Sequence, residues 1–224
     1  MLKDQINQTS TFLINVLSDA LNGKLALPKF QRPYVWDAAD ACSLLDSVAR
    51  GFPIGTLVVW GGWWSGARVS ADRVREFAGC EPLRQYPHLC LDGQQRVQSL
   101  LDAAAGKYVI WIDGDGDFRF LPARPEDSDA LASAKRCAFS SSLLFDRSAW
   151  WGEFRLVEDW CDPGEAKLVE VAVPGRKKPR AEHQWVRSPR TDEQQRCFSA
   201  LEVLRLLTER FRSTRVAVTS IAPT

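Results

Sequence analysis

The sequence predicts a mixed α/β fold. Apolar residues recur at helical spacing in several runs, and short apolar or β-branched runs stand between them. Glycine, proline, asparagine or aspartate punctuates the junctions. The chain has 224 residues, 45% hydrophobic and 25% charged, which is the composition of a globular chain with its own core. We read residues 1–224 as a single domain, with 122–190 as a poorly defined insertion carrying a basic loop.

Residues 4 to 21 read as the first helix. Phe12, Leu13, Val16, Leu17, Ala20 and Leu21 fall near a 3.6 period, and Asn22-Gly23 supplies a stop. Lys24 to Leu27 is a short strand. Pro28 and Pro33 hold the stretch Pro28 to Trp36 out of regular structure. Asp37 is an N-cap for a helix from Ala38 to Arg50, with Ala41, Leu44, Leu45 and Val48 as its apolar stripe and Gly51 at its end. Asp46 lies between stripe positions, as a paired acid or a ligand.

Thr56 to Trp60 is an apolar strand, and Gly61 to Gly66 is a turn or loop. Ser70 caps a short helix ending at Gly79. His88 to Leu91 is apolar, and a helix-like run covers Arg96 to Ala105. Tyr108 to Ile112 and Phe118 to Leu121 form a hairpin around Asp113-Gly114-Asp115-Gly116-Asp117. That turn is not a calcium loop: Phe118 stands where such a loop needs glycine, and Arg124 where it needs a bidentate glutamate. Pro125 to Lys135 and part of Leu143 to Trp160 read as helical. Thr191 with Gln194 is a capping-box pattern opening a helix to about Phe211, with Phe198, Leu201, Leu204, Leu206 and Leu207 available for the core. Thr214 to Ile221 alternates like a strand, Val216 and Val218 on one face.

The chemistry concentrates at Leu91-Asp92-Gly93-Gln94-Gln95-Arg96, a strand-to-helix junction. Glycine there lets the backbone approach a ligand, and the first free N–H groups of a helix attract anions, phosphate above all. Arg96 offers a planar donor for phosphate oxygens. Asp92 is a candidate ligand for a metal ion, and Gln94 or Gln95 a candidate to orient a water. The plain alternative is a polar helix start, with Asp92 as N-cap and Arg96 paired on the surface.

Other signals are weaker. From 176 to 190, six Lys or Arg stand against one Glu. Within it Arg176, Lys177, Lys178 and Arg180 are candidate nucleic-acid contacts, with Trp185 as a base-stacking residue; a solvated loop is the other reading. The net charge of +1 gives the whole chain no general attraction to nucleic acid. Cys42, Cys80, Cys90, Cys137, Cys161 and Cys197 form no C-x-x-C pair, and His88 and His183 are the only histidines, so neither a zinc site nor a disulfide framework is indicated. The nine tryptophans are read mainly as core. No run approaches the ~20 apolar residues that a membrane helix needs. Met1 to Gln5 lacks a signal-peptide core, so a cytoplasmic location is expected.

Four segments in order carry a family resemblance. They are Pro28-Lys29-Phe30-Gln31-Arg32-Pro33-Tyr34-Val35-Trp36, Leu44-Leu45-Asp46-Ser47, Pro53-Ile54-Gly55 and Asp92-Gly93-Gln94-Gln95-Arg96. Together they resemble the N-terminal domain of GmrSD-type restriction systems, across roughly residues 20 to 112. The resemblance implies a ParB/sulfiredoxin-like α/β domain with helical additions that binds a nucleoside triphosphate with Mg²⁺. It also implies a role in bacterial defence against phage or modified DNA, with DNA and a nuclease domain or subunit as partners. The nucleotide-binding set would be Gln31, Arg32, Tyr34, Ile54, Gly55, Gly93 and Arg96. The catalytic set would be Asp92, Gln94, Gln95 and Arg96, with Asp92 at the metal. The aromatic, Asn-Ser/Gly-Gly-bearing helix with which such domains continue is missing before Thr224, so a chain shortened at its C-terminal end is expected. Two alternatives stand beside a Mg²⁺-dependent triphosphatase: a non-enzymatic nucleotide- or DNA-binding sensor that recruits a nuclease, and a tryptophan-rich interaction adaptor. Sulfiredoxin-type thiol chemistry is not expected, because no cysteine lies inside the phosphate motif.

Overall fold

In the computed structural model, described for residues 6–61, 71–83, 88–113, 115–125, 135–145, 155, 167–172, 181–186 and 191–221, strands and helices are mixed along the chain. The strands are β1 (Ile6–Phe12), β2 (Leu25–Pro28), β3 (Leu57–Trp60), β4 (Val74–Arg75), β5 (His88–Asp92), β6 (Tyr108–Ile112), β7 (Phe118–Pro122), β8 (Ala138–Ser140), β9 (Lys167–Ala172), β10 (Ala181–Val186) and β11 (Arg215–Ile221). The helices are α1 (Leu13–Leu21), α2 (Ala38–Arg50), α3 (Gln94–Ala104) and α4 (Asp192–Ser213). The mixed α/β class is as the sequence predicts.

A six-stranded sheet runs in the order β1-β11-β3-β5-β2-β4. Strand β11 is parallel to β3, and β2 is parallel to β5, while β3 and β5 are antiparallel. Their register shifts between Val58 and Val59, beside Asp92, so the ladder breaks where α3 begins. A second sheet, β7-β6-β8, is antiparallel, and β9 pairs with β10 in a separate hairpin. One continuous core joins Leu25, Leu57, Cys90 and Val218 of the large sheet to Ile110, Ile112 and Phe120 of the small one, through the buried faces of all four helices. Burial of this contiguous apolar surface is the main stabilising term.

The helix ends follow local chemistry. Asp37 accepts from Asp40 N at 2.9 Å and closes a capping box, and Gly51 ends α2 in the left-handed region. Thr191 and Gln194 form the same box at α4. Asp46 pairs with Arg50 at 2.8 Å on the exposed side of α2, the paired-acid reading. In the β6–β7 turn, Asp113 Oδ1 accepts from Asp115 N and Asp117 N, so the aspartate serves the hairpin.

Several expectations are corrected. The first half of the predicted helix 4–21 is strand β1, held along its whole length by β11. Its periodic apolar residues begin only at Phe12, and Thr9 and Thr11 suit an extended chain. The helix predicted after Ser70 is instead a 3-10 turn at Ala71–Arg73 followed by β4, which pairs with β2. Leu206 faces solvent at 56% exposure rather than joining the core. Residues 181–186, read as part of a basic loop, form β10; Arg176, Lys177, Lys178 and Arg180 lie outside the described residues. Most of the helical runs expected at 125–135 and 143–160 also lies outside them, and the described Ser141–Leu144 is a 3-10 turn. No helix among the described residues is long and apolar enough to cross a membrane.

Candidate functional site at the start of α3

Gly93 makes the turn from β5 into α3. Its φ is +96°, a conformation costly for any residue with a Cβ, and a Cβ there would run into Leu57 Cδ2 of β3. The glycine thus serves close strand-to-helix packing. Asp92, just before it, is 68% exposed, whereas Gln95 is buried.

The proline-bearing stretch 28–36 has peptide groups with no ladder of their own, and these must find partners elsewhere. Side chains of α3 supply them. Gln95 Oε1 accepts from Val35 N at 2.9 Å and from Trp36 N at 3.3 Å, and Gln95 Nε2 donates to Pro33 O at 3.1 Å. Gln94 Nε2 donates to Arg32 O at 3.0 Å. Ser99, one turn beyond Gln95, shares a hydrogen bond of 2.9 Å with the Tyr34 hydroxyl. Gln31 reaches back to β5, its Nε2 donating to Cys90 O at 2.9 Å and Leu91 O at 2.7 Å. Its Oε1 is buried with no hydrogen-bond partner among the described residues.

Arg96 holds the opposite wall. Nη1 donates to Ile54 O at 2.6 Å, and Nη2 to Thr56 O at 3.0 Å and Asp92 Oδ2 at 3.2 Å. Gly55 has φ +82°, and a Cβ there would stand 2.7 Å from Arg96 Nη1. The 51–56 loop therefore closes over the guanidinium only because residue 55 is glycine.

The candidate nucleotide-binding and catalytic residues are thus brought to one place. Gln31, Arg32 and Tyr34 form one wall, Ile54 and Gly55 the other, and Asp92 to Arg96 lie between them. The side chains divide by what they touch. Gln94, Gln95 and Arg96 are engaged with backbone of the walls. Asp92 is exposed, and the exposed Arg32 guanidinium makes no hydrogen bond or ion pair among the described residues. The first-turn N–H groups of α3 have no side-chain cap, in contrast to α2 and α4. Asp92 therefore does not serve as the cap of this helix.

Two contributors escape a reading of the sequence. Ser99 sits four residues after Gln95 on the same helix face, a spacing that could have flagged it. Arg75, whose Nη2 donates to Arg32 O at 3.3 Å, comes from β4 and carries no local signal.

Cys90 lies beneath the site, fully buried. Burial first, and the Asp92 charge second, push its thiol up to about 12. It stays protonated at neutral pH and has no thiolate to offer as a nucleophile.

Among curated proteins, none matches the chain. A match to the family described as GmrSD restriction endonuclease, N-terminal domain, spans residues 13–205 and so takes in both walls and the whole of α3. With most of its length matched, this chain belongs to the GmrSD N-terminal domain family.

Proposed function

We propose that the chain binds a nucleoside triphosphate at the start of α3 and hydrolyses it with Mg²⁺, in the service of restriction. Membership in the family links the chain to restriction systems. The observation that carries the rest is the uncapped α3 N-terminus, set between two walls that α3 itself holds in place, with Asp92 and Arg32 exposed beside it. A helix start of this kind favours phosphate.

In this reading the motif has two jobs. Gln95 and Arg96 fix the walls, so the phosphate-facing N–H groups are preorganised. Arg32 then binds phosphate oxygens through charge, and Gln94 and Asp92 orient the attacking water. Positioning and electrostatics carry most of phosphoryl transfer, so such a set is sufficient in kind. The buried Gln31 Oε1 is an acceptor that a ligand N–H or a water would satisfy.

The donor set fits Mg²⁺ in a limited way. No group of three His, Cys, Asp or Glu among the described residues could hold a metal by itself. A single exposed carboxylate suits Mg²⁺ that arrives on the triphosphate and keeps most of its waters. Asp92 would hold it, and the ion would neutralise phosphate charge.

The engagement of Gln95 and Arg96 with backbone favours a second reading. Three of the four candidate catalytic side chains, Gln94, Gln95 and Arg96, are tied to wall backbone, which suits a sensor whose walls respond to nucleotide and recruit a nuclease without turnover. The deciding experiment is titration calorimetry with each of the four ribonucleoside triphosphates and Mg²⁺, followed by phosphate release. Binding with release that Asp92→Asn abolishes supports the triphosphatase. Binding without release supports the sensor, and no binding of any of the four rejects both.

A further inference from the structure

The large sheet ends on an open edge. Strand β1 pairs with β11 on one side and, among the described residues, with no strand on the other. Its seven residues, Ile6 to Phe12, include no charge, proline or glycine, and all but Thr11 are exposed. Proteins blunt such edges with charge, proline or short strands. The other edge strands among the described residues are blunted in this way. Strand β8 has three residues, and β4, β7, β9 and β10 contain Arg75, Arg119, Glu170 and Glu182.

The ladder fixes which backbone groups of β1 are free. Leu13 N donates to Thr214 O at 2.9 Å, one step beyond the pair Phe12–Arg215. Hydrogen-bonded pairs alternate along an antiparallel ladder, so Asn7, Thr9 and Thr11 turn their peptide groups toward β11. Those of Ile6, Gln8 and Ser10 face outward, as does the N–H of Phe12, whose C=O opens α1. Ile221, opposite Ile6, accordingly accepts from Gly61 N on its other side.

We propose that β1 pairs with β1 of a second copy of this chain, antiparallel about a two-fold axis at Thr9. The segment is self-complementary in that register. Gln8 and Ser10 of the second copy, both facing outward, exchange main-chain hydrogen bonds. Ile6 stands beside Phe12 of the second copy at each end, which covers two apolar side chains. In the single chain these are 55% and 38% exposed, Phe12 even with the Arg215 guanidinium 4.6 Å from its ring centre. On the opposite face Asn7 meets Thr11, and Thr9 meets Thr9, all uncharged hydrogen-bonding groups. No charge on β1 meets its like, and a net charge of +1 adds little repulsion between copies. A register slipped along the strand would leave outward groups at the ends unpaired. The contact closes after two copies and joins two six-stranded sheets into one.

The test is the mass of the full chain in solution, by size exclusion with light scattering over a range of micromolar concentrations. Wild type should approach twice the mass of one chain as concentration rises. Gln8→Pro removes an outward N–H and spares the ladder with β11, and should weaken self-association at least ~10-fold. Thr9→Lys and Thr9→Glu each set like charges across the axis, and each should run as a monomer where wild type is dimeric. Mixed in equal amounts, the two should recover a dimer containing one of each. If circular dichroism shows the Thr9 variants unfolded, Gln8→Pro decides alone. A dimer that these changes leave intact would place the contact elsewhere and overturn the proposal. So would folded Thr9→Lys and Thr9→Glu chains that stay monomeric when mixed. A wild type that is monomeric throughout would leave the edge to a strand of another protein, and would equally overturn it.

Discussion

The side-chain oxygen of Gln95 accepts the backbone N–H of Val35 at 2.9 Å, across 60 residues of chain. With its bonds to Pro33 O and Trp36 N, this buried amide stands in for a missing β-ladder. The wall of the site is thus a property of α3 as much as of the 28–36 stretch. Gln95→Ala should destabilise the fold by roughly 2–4 kcal/mol, about 1 kcal/mol per lost hydrogen bond plus the cost of buried groups left unpaired. Urea unfolding measures the loss. Limited proteolysis should show the 28–36 stretch opening before the rest of the chain.

Gly93 yields a second expectation. A valine there meets both the left-handed backbone and Leu57, so Gly93→Val should lower stability outright as well as remove any nucleotide affinity. Gly93→Ala carries the same strain and contact with a smaller side chain. We expect it to lower Tm while leaving the far-ultraviolet circular dichroism that of a folded protein. A Tm equal to wild type would mean that β3 and α3 can separate at little cost.

Local chemistry was legible in the sequence, and long-range partnership was not. Asp37, Gly51, Thr191 and Gln194 act within a few residues of themselves, so both capped helices could be placed closely. Strand β1 was misread because its identity depends on β11, near the other end of the chain. At the site, the junction at Gly93 was evident, and so was the ordered set of segments around it. What Gln95 and Arg96 hold was not evident, because Val35 and Ile54 lie 60 and 42 residues away and offer backbone atoms, which carry no residue signature. The small sheet needed β8, a three-residue strand too short to announce itself.

Burial pushes both the Cys90 thiol and the Tyr108 hydroxyl up to about 12, with the Asp92 charge next for the thiol and Tyr34 next for the phenol. In the unfolded chain these groups ionise near about 8.5 and 10. The fold therefore keeps protons that the unfolded chain has released. Stability from this source is complete below the unfolded values and is lost as pH rises through the folded ones. Urea midpoints should fall between about pH 8.5 and 12, and Tyr108→Phe and Cys90→Ala should each flatten that fall. An equal alkaline slope in both variants would show that other groups control it.

Two arginines at the site separate affinity from architecture. The Arg96 guanidinium is spent on Ile54 O, Thr56 O and Asp92, whereas that of Arg32 is exposed and makes no hydrogen bond or ion pair among the described residues. Arg32→Ala keeps the backbone carbonyl that Gln94 and Arg75 use. It should leave stability within about 0.5 kcal/mol of wild type. If Arg32 contacts phosphate, the same change should cost about 1.5–3 kcal/mol of nucleotide binding. Arg96→Ala strips two carbonyls of the 51–56 loop of their donor and should cost stability of similar size, with affinity lost as a consequence of the displaced wall. Asp92→Asn, at an exposed position, should change neither stability nor Mg²⁺-free binding and should reduce turnover alone, the mark of an interaction made in the transition state. Calorimetric binding, urea unfolding and phosphate release on the three variants distinguish these patterns. Should Arg32→Ala bind as wild type while Arg96→Ala loses affinity at full stability, phosphate sits on Arg96 and the division of labour drawn from the structure is reversed.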